Sequence, residues 1–179
     1  MFDWLRKKKV TPRGFTKLPA VRFDRSRVTD EVKHDLWESI AGLKEVGSNE
    51  LEGIHQAAIA SVQQGGNLFI LSQDILKLKG MTRKRAGEIA LALHNRATAL
   101  MDRSRQLELG IEYAVWRYSG APCGYKEDGF QHDAAHRKMN GKCFKLVEGA
   151  VVGKRQVLPG QDAGCKCGWT PIIPGLGDV

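Results

Sequence analysis

Helical periodicity runs through residues 28–110 and stops at Gly110. Apolar residues recur there at spacings of three and four, and the longest predicted helix extends from Thr82 to about Leu109. From residue 111 onwards β-forming residues and glycines alternate in short segments, and all four cysteines lie in this part. We therefore predict an α+β fold, with a helical region over 28–110 followed by a small β-rich Cys/His module over 111–179.

Residues that favour helix ends support this division. Thr29 and Thr82 can each cap a helix N-terminus, and Asn49 with Glu52 three residues later resembles a capping box for the second helix. Gly110 stands where a left-handed residue closes a helix. The long helix has small side chains along its seam, which predicts close packing against the earlier helices; these are Ala86, Ala90 and Ala97.

The β-rich module contains three predicted strand regions after the strand around Trp116. Cys143–Val147 and 155–158 are predicted to pair through turns at Gly149 and Gly153. A last strand is predicted over 164–173.

A Cys-x-Cys pair lies in this last strand. Side chains two apart on a strand point to the same face, so Cys165 and Cys167 can offer two thiolates to one metal ion. Candidates for the remaining ligands are Cys123, His132, His136 and Cys143. The favoured set is Cys123, His136, Cys165 and Cys167, holding zinc. Two alternatives stay open, which are disulfide pairing and buried thiols that only pack.

A small nuclease or a cysteine-dependent enzyme is a third interpretation, since Cys165, His136 and Asp162 are all available. Neither Cys165 nor Cys167 precedes a predicted helix, where a thiolate would be favoured. We therefore predict no catalytic activity.

The N-terminal segment is strongly basic. Residues 1–27 contain nine basic and two acidic residues, whereas the remaining 152 contain 19 basic and 18 acidic residues. With its prolines and interspersed aromatic residues, the segment is predicted to be an extended arm that binds DNA or an acidic protein surface. A solvated tail is the alternative. The proposed contact residues are Arg6, Lys7, Lys8, Lys9, Arg13 and Lys17.

Residues 75–86 read as a helix, a tight turn and a second helix with a basic start. A helix-turn-helix DNA-binding protein has a similar pattern. The simpler interpretation is that residues 83–85 form the solvated face of a bundle helix. No apolar run exceeds about five residues, so we expect neither a membrane span nor a secretory signal.

Several short motifs together resemble the phage Mu protein F-like head morphogenesis family. They begin with the helix start at 80–90 and continue through 103–111 and 116–120. The later motifs are His136, the Asn140-Gly141-Lys142 turn with Phe144, the Leu158-Pro159-Gly160 turn, and Cys165-Lys166-Cys167. The resemblance covers roughly residues 67–174.

The resemblance implies a minor structural protein of a tailed bacteriophage head. Proteins of this family are low-copy components of the portal vertex, needed for head assembly and linked to DNA packaging or exit. By this resemblance the partners are the portal protein and neighbouring head or neck proteins. Several copies would surround the portal, in a virion assembled in the host cytoplasm, and the basic arm would lie against packaged DNA.

Overall fold

The computed structural model describes residues 23–124 and 132–175, and its fold is α+β, as predicted. Four helices make up the first part, after a short 3-10 turn at Arg25–Arg27. They are α1 (Asp30–Ala41), α2 (Ser48–Gln63), α3 (Leu68–Leu76) and α4 (Arg83–Glu108). In the described ranges, none of the helices has both the length and the hydrophobicity needed to cross a bilayer.

Helix starts follow the predicted caps in two cases of three. The Thr29 hydroxyl accepts a hydrogen bond from the backbone N–H of Val32 at the start of α1. The Thr82 hydroxyl accepts a hydrogen bond from the backbone N–H of Arg85 at the start of α4. The capping box at Asn49 is wrong, because α2 already begins at Ser48 and the extended Gly47 is its N-cap. Asn49 therefore lies inside the first turn, where its side chain is not the cap.

Helix α4 spans 26 residues and is about 40 Å long. It ends as predicted: Gly110 adopts φ +76°, and the N–H of Ile111 donates to the carbonyl of Gln106. The small seam residues Ala86, Ala90 and Ala97 are fully buried. Their size allows α4 to pack closely against the other helices.

The second part contains a three-stranded antiparallel sheet, a β-hairpin and a short helix. Strand β1 (Tyr113–Arg117) is central, and it lies between β2 (Cys143–Lys145) and β5 (Gly168–Ile172). The hairpin consists of β3 (Ala150–Val152) and β4 (Arg155–Val157). Helix α5 (Asp133–Met139) precedes β2.

Two predictions about these strands are wrong. Residues 143–147 do not pair with 155–158, because β2 ends at Lys145 and pairs with β1, and a turn closed by Gly149 follows. The partner of β4 is instead β3. The last strand begins at Gly168 and not at 164, so Cys165 and Cys167 lie in the loop before β5.

Helices and sheet share one hydrophobic core. Buried residues of α1 to α4 are continuous with Trp116 of β1, with Phe144 of β2 and with the hairpin. Trp116 and Leu146 are fully buried in it. The β-rich part is therefore packed on the helices through apolar contacts, which fixes the position of its cysteine-bearing loops.

Candidate metal centre

Two loops and one helix bring the four favoured ligand residues together. Cys123 follows β1, His136 lies on α5, and Cys165 and Cys167 lie in the loop before β5. Their ligand atoms all lie within 4.8 Å of one another, and all four side chains are buried. This group could hold a metal ion.

The distances within the group suit four-coordinate binding. Sγ of Cys123 lies 3.5 Å from Sγ of Cys167, and Nδ1 of His136 lies 3.2 Å from Sγ of Cys165 and 3.9 Å from Sγ of Cys167. A tetrahedral zinc with Zn–S bonds of about 2.3 Å places neighbouring ligand atoms roughly 3.5–3.8 Å apart. Three sulfur atoms and one imidazole nitrogen are a donor set that fits zinc.

All four cysteines lie in described residues and are free thiols. The 3.5 Å between the sulfurs of Cys123 and Cys167 is well beyond the ~2.05 Å of a disulfide bond. Cys143, a candidate ligand by sequence, is exposed on β2 and lies outside the group. His132 is also outside it, at the start of α5, with its ring centre 6.1 Å from that of His136.

The loop that carries Cys165 and Cys167 packs against the backbone beside Cys123. The N–H of Gly124 donates to the carbonyl of Gly164 over 3.0 Å. Gly164 has φ +69°, and a Cβ at this position would lie 2.7 Å from the carbonyl carbon of Gly124. Only glycine allows the two ligand-bearing segments to approach this closely.

Backbone N–H groups point at two of the sulfur atoms. The N–H of Gly160 donates to Sγ of Cys165 over 3.2 Å, and the N–H of Lys166 donates to Sγ of Cys123 over 3.5 Å. For Cys165, the contact with Cys167 and burial raise the pKa, and the hydrogen bond from Gly160 acts against them.

His136 is oriented by a carboxylate on its other side. Nε2 of His136 lies 3.1 Å from Oδ2 of Asp162, while Nδ1 faces the sulfurs. The guanidinium of Arg155 donates two hydrogen bonds to Asp162, of 2.9 and 3.0 Å, and the Trp116 ring packs edge-on against the imidazole. Metal-ligating histidines typically have such a carboxylate partner.

The protonation of the metal-free histidine follows from these contacts. Burial lowers the pKa of His136, but hydrogen bonds with Asp162 and with the Cys167 and Cys123 thiols outweigh burial and raise it to about 10. Burial raises the pKa of Asp162, yet the hydrogen bonds from His136 and Arg155 hold it well below its usual range. The metal-free centre therefore contains an imidazolium–carboxylate pair.

The Cys-x-Cys thiols titrate as a pair. The hydrogen bond from Cys165 is the main cause that lowers the pKa of Cys167 to about 4, against the effect of burial. The same contact and burial raise the pKa of Cys165. One thiolate thus already faces the imidazolium, and metal binding must displace the remaining protons.

Sequence reasoning missed the support around the ligands. The sequence analysis places Asp162 only in the enzyme alternative, and it predicts neither the role of Arg155 nor the close contact at Gly164. Asp162 lies three residues before Cys165 in a glycine-rich turn, which is the one local signal that pointed to it. The basic arm residues of 1–22 lie outside the described residues.

Comparisons of the chain with protein-family models, with curated proteins and with solved structures found no match.

Proposed function

We propose that this protein is a structural minor head protein of a tailed bacteriophage whose Cys₃His group is a structural zinc site. The observation that carries the proposal is that motifs far apart in the sequence meet at one place. The strand with Trp116, the helix with His136, the turn at Gly160 and the Cys-x-Cys loop all converge on the four ligand atoms. These are the same motifs on which the family resemblance depends.

Zinc is favoured by the donors and by the closure of the site. Thiolate and imidazole ligands suit zinc and do not suit magnesium or calcium, which prefer oxygen. Four protein ligands leave no open position for water or substrate, which is typical of structural zinc. The metal would join three segments of a small module that has only short strands.

A structural role is also favoured over a cysteine-dependent enzyme. Cys165 is 2% exposed and borders a cavity of about 360 Å³ beside α4, but His136, which would have to act as its base, is 0% exposed and does not line that cavity. The contact with Cys167 and burial raise the pKa of Cys165, which does not activate it as a nucleophile. The pKa of Cys167 is lowered instead, but Cys167 is only 7% exposed and faces the fully buried imidazole.

The helix-turn-helix alternative is less well supported. Arg85 forms an ion pair with Glu45 at 2.9 Å, and Lys84 lies 3.7 Å from Glu88, so two of the three basic residues at the start of α4 contact acidic groups of this chain. Helix α4 then continues to Glu108, far beyond the length of a recognition helix.

In this proposal the partners are the portal protein and adjacent head or neck proteins, with several copies around the portal vertex. The basic arm, through the six residues named above, binds an acidic surface of these proteins or packaged DNA. Helices α1 to α4 share one hydrophobic core with the β-rich module that contains the metal site. No membrane partner is invoked.

Co-expression with the portal protein of the same phage tests the proposal. The tagged chain should co-purify with portal and enter assembled heads, and purified reduced protein should contain about one zinc per chain. Absence of portal association together with sequence-selective duplex binding would favour the helix-turn-helix alternative.

A further inference from the structure

Arg96 on α4 contacts the loop that leads to Cys165. Nη1 of Arg96 on α4 donates to the backbone carbonyl of Gln161 over 3.2 Å. The same guanidinium donates to both carboxylate oxygens of Asp35 on α1, with Nη2 2.7 Å from Oδ1. One side chain therefore joins two helices and the ligand loop.

Gln161 is fixed within its own turn. Its side-chain oxygen accepts from the N–H of Leu158 over 2.8 Å, and its N–H donates to the carbonyl of Leu158 over 3.1 Å. The next residue, Asp162, contacts the His136 ring, and its carbonyl accepts from the N–H of Cys165 over 2.9 Å. A shift of Gln161 would therefore move both a ligand and the carboxylate that orients another ligand.

We propose that Arg96 is a positioning residue for the metal centre, although it contacts none of the four ligand side chains. This inference rests on the metal centre proposed above. Arg96 anchors the loop in its binding conformation before metal arrives, so that less conformational entropy is lost when the metal binds. Without it, the Gln161 carbonyl loses its donor and part of the binding energy is spent on ordering the loop.

Arg103 provides a matched control. It also lies on α4 and forms an ion pair with α1, through Glu31. Within the described residues, its hydrogen bond goes to Glu31 and not to the loop that precedes Cys165. Loss of Arg103 thus removes an α1–α4 contact of the same kind without touching the ligand loop.

The test is cobalt binding to the full-length reduced chain, followed by its thiolate-to-cobalt absorption and by competition with a chelator. We expect Arg96→Ala to weaken Co²⁺ affinity by up to about tenfold, at or below the low end of the 10–100-fold lost when a group that hydrogen-bonds a ligand directly is removed. Arg103→Ala should stay within about twofold of the wild type. Arg96→Lys, which keeps a positive charge beside Asp35, should fold and still bind more weakly than the wild type.

Urea unfolding with chelator present gives the second readout. If Arg96→Ala and Arg103→Ala lose similar stability but only the first loses metal affinity, positioning is supported. Equal Co²⁺ affinity in the Arg96 variants and the wild type would overturn the inference while leaving the metal centre intact. A wild-type chain that binds neither Co²⁺ nor Zn²⁺ would instead overturn the metal centre itself.

Discussion

Gly164 lies directly against Gly124, with the N–H of Gly124 donating to the carbonyl of Gly164. This contact holds the Cys-x-Cys loop beside the segment that carries Cys123. It is a backbone contact, so its geometry is independent of side-chain rotamers. The N–H of Lys166, which donates to Sγ of Cys123, joins the same two segments.

Gly164→Ala should therefore disrupt the centre. The new Cβ would lie 2.7 Å from backbone carbon in a left-handed conformation, so we expect a loss of about 2–4 kcal/mol in the free energy of unfolding. Gly153→Ala is the control, because Gly153 also has positive φ but has nothing within 4 Å of a built Cβ; it should lose about 1–2 kcal/mol. Urea unfolding in the presence of zinc measures both, and equal losses would contradict the steric argument.

Cys165→Ser should release the metal. We expect about one zinc per wild-type chain, and much less than one in the variant, by elemental analysis of reduced protein. Cys143→Ser is the matched control, because Cys143 is exposed and outside the ligand group, and it should keep its zinc. If all four thiols react freely in untreated wild-type protein and no metal is found, the cysteines are packing residues.

The pH dependence of the metal-free protein should reflect the pairing of His136 with Cys167. The pKa of His136 is raised from 6.5 to about 10 in the folded state, so its protonation stabilises the fold below pH 6.5 and this contribution is lost towards pH 10. The pKa of Cys167 is lowered from 9.0 to about 4, so its ionisation stabilises the fold above pH 9 and this contribution is lost towards pH 4.

The two slopes oppose each other, so we expect stability to change little between about pH 6.5 and 9 and to fall above pH 9. Metal affinity should still rise with pH, because ligand protons must leave. Urea unfolding at several pH values with chelator and reductant measures the stability, and His136→Gln, which removes one of the two contributions, should leave a stability that rises between pH 6.5 and 9.

Removing the basic arm should reduce incorporation into heads without unfolding the protein. The deletion should end at residue 22 and not at the predicted boundary of 27, because Phe23 packs on the core and Asp24 caps the 3-10 turn. Binding of the intact chain to its partner should weaken as salt rises, since such contacts are electrostatic. Unchanged incorporation after deletion of 1–22, measured in assembled heads, would refute the role of the arm.

Enlarging the seam of α4 should destabilise the core. Ala90 and Ala97 are 0% exposed, so replacing either with Leu should cost about 1–3 kcal/mol through overpacking. Arg83→Ala, at an exposed position at the start of the same helix, should have little effect. Thermal unfolding compares the three variants, and a similar loss at Arg83 would show that the faces of α4 are wrongly assigned.

The features predicted correctly from the sequence depend on short-range interactions. Thr82 caps α4 through an N–H three residues away, and Gly110 ends it because its own backbone can be left-handed. The recurrence of apolar residues every three or four positions, which reflects the helical period, located α1 and α4. The residue types alone gave six candidate ligands, which include the four that the structure brings together, because few residue types bind zinc. The strand-face argument for Cys165 and Cys167 is wrong, since both lie in the loop before β5.

The errors and omissions arise where contacts join distant parts of the chain. The partner of β4 depends on where turns close, and the sequence around Gly149 and Gly153 is compatible with either pairing. The sequence by itself determined the α+β class, the capped starts of α1 and α4, the end of α4, and the residue types able to bind a metal, because these follow from local backbone and side-chain chemistry. Only the tertiary structure decided that Asp162 orients His136 and that Arg96 holds the ligand loop, because packing on a shared core brings these groups together from 26 and 65 residues apart.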